Sequence, residues 1–465
     1  MNIESIKLVD IQLKNLKNVD NGEINLTYND EVLNMVGIYG QNGSGKTTVI
    51  DAINLCRNLL LGEELEEYFV DLLNNNTQST VSVTFKINEE RLISYSVILE
   101  KVSTLNEMKN YENRITILYE SLETKELKNN SRTKNLITFS RNNKDKKPEL
   151  KPVSYFRNNQ TNRTMLNVAV KQSDKDQQSV IFSDVIKGTI EASKNKNLDE
   201  LKECMEAIEL IAKNIFVFDN KMSGLVYSQF YIPFLFSVVN KKGNQSEYYF
   251  GTIGLDALQS SLLEQQHYKV ISAIIEQINL VLPQIIPKMK LVLHVYGEQV
   301  TETGEKGYRV ELNSNRDGKQ FPFRAESDGV KKIVSILSAL IAGYNSRLAI
   351  VAIDELDSGV YEFLLGELLT VLSEGAKGQI IFTSHNLRPL ETISERKIIF
   401  TTTDQSNRYV KAHNIKQSNN LRNVYLRDIQ YKTGQHELYN TTSIAKIQRS
   451  FRKSSIIQEE GTDYE

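Results

Sequence analysis

The chain has 465 residues, 40% of them apolar and 25% charged, with a formal net charge of −2. That composition suits a globular protein of two or three lobes and gives no whole-chain electrostatic case for nucleic acid, so any such contact needs a local patch. Cys56 and Cys204 lack metal-ligand spacing, the N-terminus carries acids where a signal peptide needs an apolar core, and no run is long enough for a membrane span, so a cytoplasmic protein without a membrane partner is expected.

In chain order, residues 6–16 and 23–26 alternate loosely and predict two strands. Residues 36–39 predict a short strand, and GQNGSG-KTT over 40–48 follows it. Residues 49–61 predict a helix that stops at Gly62. Strand, glycine-rich turn, Lys-Thr and helix form the context of a P-loop. Its backbone N–H groups converge on one anion, and the helix N-terminus adds its positive end. Gly40, Asn42, Gly43, Ser44, Gly45, Lys46, Thr47 and Thr48 are therefore candidate ATP-binding residues. Lys46 would reach the β- and γ-phosphates, and the Thr47 hydroxyl would ligate Mg²⁺.

Residues 81–87, 92–99 and 115–119 are short, β-branched and alternating, as in an antiparallel sheet. Residues 125–151 carry nine basic and three acidic residues and read as a solvated loop or insertion. A phosphate-backbone patch, with Tyr155, Phe156, Arg157 and Arg163 just downstream, is the functional alternative. Residues 198–214 have the three-four spacing of an amphipathic helix, and apolar strands are expected over 215–218 and 230–239. A second helical run is expected over 255–282, stopped near Pro283 and Pro287, and a hairpin over 291–296 and 308–312. No heptad pattern is sustained anywhere in this middle section.

Residues 347–353 are almost continuously apolar and end in Asp354-Glu355. Such a run suits a strand buried on both faces of a parallel sheet, and ligands bind at the C-terminal ends of those strands. This is a Walker B arrangement, with Asp354 as the Mg²⁺ ligand and Glu355 as the group that polarises the attacking water. Residues 379–384 predict a further buried strand with His385 at its end, within reach of a γ-phosphate. Ser327 and Gly329 open a helical run over 331–344, a second anion-binding helix start.

The order of these parts carries more than any one of them. P-loop, long insertion, ESDG helix start, Walker B with a terminal Glu, Leu356-Asp357-Ser358-Gly359 and then a strand with His385 resemble the ATPase head of the ABC superfamily. ESDG stands where transporters have LSGGQ, and 280 positions separate Thr47 from Ser327. ESDG before a helix and SHN after the last strand are similar to the AAA-15/AAA-21 group, related to Rad50 and SMC heads and to the OLD nucleases. Within it the chain most resembles the ATPase subunits of anti-phage defence systems such as PARIS. The resemblance covers about residues 1–120 and 290–415.

The resemblance implies an α/β fold: a mixed or parallel P-loop sheet, an antiparallel β subdomain and a helical insertion lobe. The expected divisions are 1–122 and 289–415 for the two halves of the head, 123–288 for the insertion lobe, and 416–465 for a tail with a docking role. It implies ATP sandwiched between two heads of a homodimer or larger homo-oligomer. Ser327 and Gly329 then act in trans, Asp357 lies at the seam, and His385 senses the γ-phosphate. A glutamine would complete Mg²⁺ coordination, with Gln172 the first choice and Gln160 the second. Adenine contacts would come from Lys14, Asn15 and Lys17, where Leu16 stands in place of an aromatic residue. The absence of a coiled coil argues against a Rad50 or SMC arm protein, and the length after His385 against a Toprim nuclease domain. The expected activity is ATP hydrolysis to ADP and phosphate by a switch that controls a separate effector protein, with a Toprim-like nuclease as one candidate. The alternative is a RecF- or SMC-like repair ATPase that contacts DNA directly, through residues 125–151 and the basic tail over 444–453.

Overall fold

The computed structural model describes residues 2–105, 111–128, 131–141, 148–152, 160–219, 231–242, 245–301, 304–411, 421–431, 437–439 and 443–454. The alternating N-terminal residues form β1 (Ile6–Leu16), antiparallel to β2 (Val19–Asn25). A small hairpin, β3 (Thr27–Tyr28) and β4 (Glu31–Val32), leads to β5 (Met35–Tyr39), buried along its whole length. The P-loop and α1 (Lys46–Leu61) follow, and Gly62 ends the helix in a left-handed turn with φ 75°.

β6 (Gln78–Ile87), β7 (Arg91–Leu105), β8 (Tyr111–Glu126), β9 (Lys134–Arg141) and β10 (Pro148–Lys151) complete a seven-stranded antiparallel sheet in the order β10-β9-β8-β7-β6-β1-β2. Two of these strands lie where a solvated loop over 125–151 was expected. The dense charge there hides a buried alternating pair, Ile137 and Phe139, that seats β9 on the core.

α2 (Gln160–Asp176), α3 (Asp184–Ala192) and α4 (Asp199–Lys213) come next. β11 (Ile215–Phe218) then returns the chain to the P-loop sheet. A third group holds the hairpin β12 (Tyr231–Lys242) and β13 (Gln245–Asp256), then β14 (Ser261–Glu264), α5 (Gln265–Ile285), β15 (Met289–Val300), β16 (Lys306–Arg316) and β17 (Lys319–Pro322). The helix expected over 255–282 thus starts ten residues late, because its first part is strand, and it carries Pro283 within its last turn. Residues 123–288 are mixed rather than helical throughout: besides α2 to α5 they supply strands to four sheets.

α6 (Asp328–Asn345) leads into β18 (Ile350–Ile353), followed by α7 (Glu362–Gly375), β19 (Gln379–Ser384), α8 (Pro389–Thr392), β20 (Ile398–Thr401), β21 (Tyr409–Lys411), α9 (Leu421–Tyr431) and α10 (Ile444–Ser454). The second main sheet has the order β11-β18-β19-β5-β20-β21, and all its neighbours are parallel except β21. The molecule is therefore mixed α/β, with a mainly parallel P-loop sheet, a seven-stranded antiparallel sheet and smaller antiparallel sheets among the described residues. Gln379 joins the two: its side chain exchanges hydrogen bonds with the Leu8 backbone, accepting at 2.7 Å and donating at 2.8 Å.

A buried carboxylate fixes the antiparallel sheet to the helices behind it. Glu120 on β8 accepts from Tyr95 Oη and Ser179 Oγ at 2.6 Å each, and from the backbone N–H groups of Val180 at 2.8 Å and Ile181 at 3.1 Å. Leucine there would strand four buried donors. Glu120→Leu is expected to lose about 3 kcal/mol or more of unfolding free energy, read as a lower midpoint in urea denaturation.

Candidate nucleotide site

Parallel pairing brings five strand ends to one edge. β11, β18, β19, β5 and β20 deliver Asp219, Asp354, His385, Gly40 and Thr401 there. The P-loop leaves β5 and is held from outside. Ser44 and Thr401 share a short hydroxyl–hydroxyl hydrogen bond, Tyr409 Oη donates to the Gly45 carbonyl at 2.7 Å, and Asn18 donates to the Gly43 carbonyl. A Cβ on Gly40 would fall 1.6 Å from Thr401 Oγ1, so that position admits no side chain. Gly45 caps α1 with φ 93°, a left-handed conformation that favours glycine.

Lys46 is 5% exposed, and its ammonium lies along the loop, donating to the carbonyls of Gly40 at 2.8 Å and Gln41 at 3.0 Å. Burial pushes its pKa down to about 8, against the opposing pull of Asp354, Glu355 and Asp357. Thr47 Oγ1 donates to Asp354 Oδ2 at 3.0 Å. Thr383 Oγ1 donates to Asp354 Oδ1 at 2.5 Å and accepts the Glu355 N–H at 2.8 Å. Burial raises the Asp354 pKa, and the Thr383 and Thr47 hydroxyls hold it back. Glu355 adopts φ 48°, a strained conformation for a non-glycine residue. His385 Nε2 lies 3.7 Å from Glu355 Oε1.

One hydroxyl and one carboxylate side by side, Thr47 and Asp354, fit Mg²⁺, which keeps waters and takes further oxygens from substrate phosphates. No larger cluster of His, Cys, Asp and Glu able to hold a metal occurs among the described residues. Gln172 is not brought to this pair. It lies in α2, which packs on α3, β8 and β10. The apolar run before it belongs to a helix, with Ala169 and Val170 buried, rather than to a strand that ends at the site. Gln160 opens the same helix. Tyr155, Phe156 and Arg157 lie outside the described residues.

Ser327 caps α6, its Oγ accepting the Val330 N–H at 3.5 Å, and is exposed. Gly329 sits against Gly359: a Cβ on Gly329 would meet the Gly359 carbonyl at 2.1 Å. Asp357 accepts the backbone N–H groups of His385 at 3.1 Å and Asn386 at 2.9 Å, so it closes the turn after β19 within its own chain. Thr48 is buried, and Asn42 is exposed on the loop. Asn15 donates to the Gln78 carbonyl at 3.0 Å, and Lys17 pairs with Asp51 at 2.8 Å.

Three residues at this edge were not anticipated. Thr383 orients both Walker B acids. Asp219, 4% exposed, follows β11 directly beside Walker B, where the Asp354 N–H donates to the Phe218 carbonyl at 2.7 Å. Lys332, 3% exposed on α6, donates to the Asp354 carbonyl at 3.3 Å. Asp219 did carry a signal: like Asp354, it is the acid that ends an apolar run.

A family model described as "AAA domain", AAA_23, matches residues 10–286. A second AAA model, AAA_21, matches residues 209–390, and its description names the AbiEii toxin and a Type IV TA system. No curated protein matches. Among solved structures, an SMC head bound to the C-terminal winged-helix domain of ScpA aligns at 13% identity and TM-score 0.42, covering 87% of this chain and 98% of that one. An SMC head with an extended coiled coil, bound to the C-terminal domain of ScpA from Pyrococcus furiosus, aligns at 12% and 0.39, covering 88% and 96%. The SMC head of Thermotoga maritima aligns at 14% and 0.34, covering 88% and 100%.

Proposed function

The chain belongs to the AAA_23 family of AAA domains, and from that premise we propose that it binds and hydrolyses ATP as the switch subunit of an anti-phage defence system. The observation that carries the chemistry is the chain of contacts from Thr47 through Asp354 and Thr383 to the Glu355 backbone. In it a hydroxyl–carboxylate pair that would hold Mg²⁺ and a candidate general base lie close to a P-loop lysine. Mg²⁺, when bound, would neutralise charge developing on the phosphates. Lys46 would turn from the loop carbonyls to the β- and γ-phosphates. Glu355 would take a proton from the attacking water, and His385 would contact the γ-phosphate. The products are ADP and phosphate.

Ser327 and Gly329 stand at an exposed helix start, while the P-loop of the same chain is braced by β20 and β21 instead. A second head would bring its own Ser327 to this nucleotide, which makes ATP the glue of a homodimer. Ser327→Arg places a bulky cation in that seam. It is expected to lower ATP turnover at least tenfold and to abolish the ATP-dependent dimer in light scattering. Unchanged turnover would sink the sandwich.

The defence role is supported by the AAA_21 match, whose description names a toxin system. Its effector would be a separate protein, as in PARIS-type systems. The switch reading is preferred to the DNA-repair alternative because three basic residues of 125–151 already face acids, Lys128 with Glu90, Lys134 with Glu200, and Arg141 with Asp174, which leaves less free charge there for a phosphate backbone. DNA-stimulated ATPase with salt-sensitive duplex binding would reverse that preference. Co-purification of the neighbouring gene product, changed by ATP, is the result expected of a switch.

A further inference from the structure

The acids at the sheet edge share a buried cation that the hydrolytic scheme does not use. Lys332 lies on α6, the helix that carries Ser327 and Gly329 at its start. Its ammonium donates to the Asp354 carbonyl at 3.3 Å, and Asp354, Glu355, Asp219 and Asp357 all act on it electrostatically. Burial lowers its pKa despite them.

Carboxylates gathered at one edge repel one another unless a cation lies among them, and an isolated buried ammonium would be costly without carboxylates. Each half of this arrangement therefore needs the other. The cation is also fixed in place. Its helix touches the loop after Walker B a second time, where Gly329 meets Gly359. α6 is thus tied to the Walker B region at two points within one chain.

Resting on the nucleotide-site reading above, we propose that Lys332 is a resident counter-cation of this edge, a positioning residue that, buried and anchored on the Asp354 carbonyl, offsets the charge of the Walker B acids before nucleotide arrives and weakens binding of a free divalent cation. Mg²⁺ then enters with the nucleotide, whose phosphates bring both negative charge and oxygen ligands. A free cation would have to compete with an ammonium already in place.

The test is Mn²⁺ binding to the nucleotide-free full-length protein, followed by the electron paramagnetic resonance signal of unbound Mn²⁺. Lys332→Met is expected to bind Mn²⁺ about tenfold more tightly than wild type, since a unit charge near the site has been removed. Lys332→Arg, which keeps the charge, is expected to stay near wild type. Equal affinity in Lys332→Met and wild type would overturn the proposal, as would equal tightening in Lys332→Arg. Should Lys332→Met fail to fold, Lys332→Met with Asp219→Asn removes one charge of each sign, and its comparison with Asp219→Asn alone carries the same tenfold expectation. ATP binding by wild type tests the nucleotide site separately. Its failure would remove that reading, whereas the Mn²⁺ comparison is made without nucleotide.

Discussion

Glu355→Gln is expected to reduce ATP turnover by about 10²–10⁴-fold while leaving ATP binding intact. The amide matches the carboxylate in size but accepts no proton from water. Its backbone should hold, because the Glu355 N–H is fixed to Thr383 Oγ1 at 2.8 Å and not through the carboxylate. The strained φ of 48° is imposed by that neighbourhood and aims the side chain toward His385. With hydrolysis blocked and binding retained, ATP should accumulate on the protein and hold two copies together. Phosphate release and light scattering read the two effects separately. Hydrolysis at the wild-type rate would remove Glu355 from the proposed mechanism. Slow hydrolysis without an ATP-dependent dimer would keep Glu355 and remove the sandwich.

The parts of the site that could be read from the sequence are those whose chemistry is local. GQNGSG-KTT carries its own turn geometry, and the runs before Asp354 and His385 announce buried strands. The structure then places Thr47 on Asp354 and His385 near Glu355. What could not be read depends on partners far away in the chain. Ser44 meets Thr401 across 357 positions, and no local pattern marks either as a partner. Lys332 looks like an ordinary helix lysine until α6 is laid against Walker B. Asp219 directly follows a strand whose place in the parallel sheet is set by topology, so its position beside Walker B is not legible locally. Residues 134–141, inside the charge-rich 125–151, failed as a loop for a related reason: three buried side chains, Leu136, Ile137 and Phe139, suffice to seat a strand at one side of a sheet, whatever the composition around them.

Lys46→Ala is expected to weaken ATP binding by roughly 10–100-fold, the loss of one charge-assisted contact to phosphate, and to bring turnover to background. The wild-type lysine adds a pH signature. Its pKa is pushed down to about 8 in the nucleotide-free protein, from an ordinary 10.5. Below pH 8 the ammonium is ready for phosphate. As pH rises through 8 the side chain becomes neutral, and ATP must then recruit a proton to bind. Affinity should therefore fall with rising pH, approaching tenfold per unit well above pH 8 and before the bound-state pKa is reached. The sign for folding is opposite. Because the unfolded chain holds more protons between pH 8 and 10.5, this group's contribution to stability becomes more favourable across that window, and the full cost of burying the charge is present below it. Titrating labelled ATP between pH 7 and 9.5 separates these statements. A wild-type affinity that does not change with pH, or a Lys46→Ala variant with the same slope as wild type, would mean that another group controls nucleotide binding.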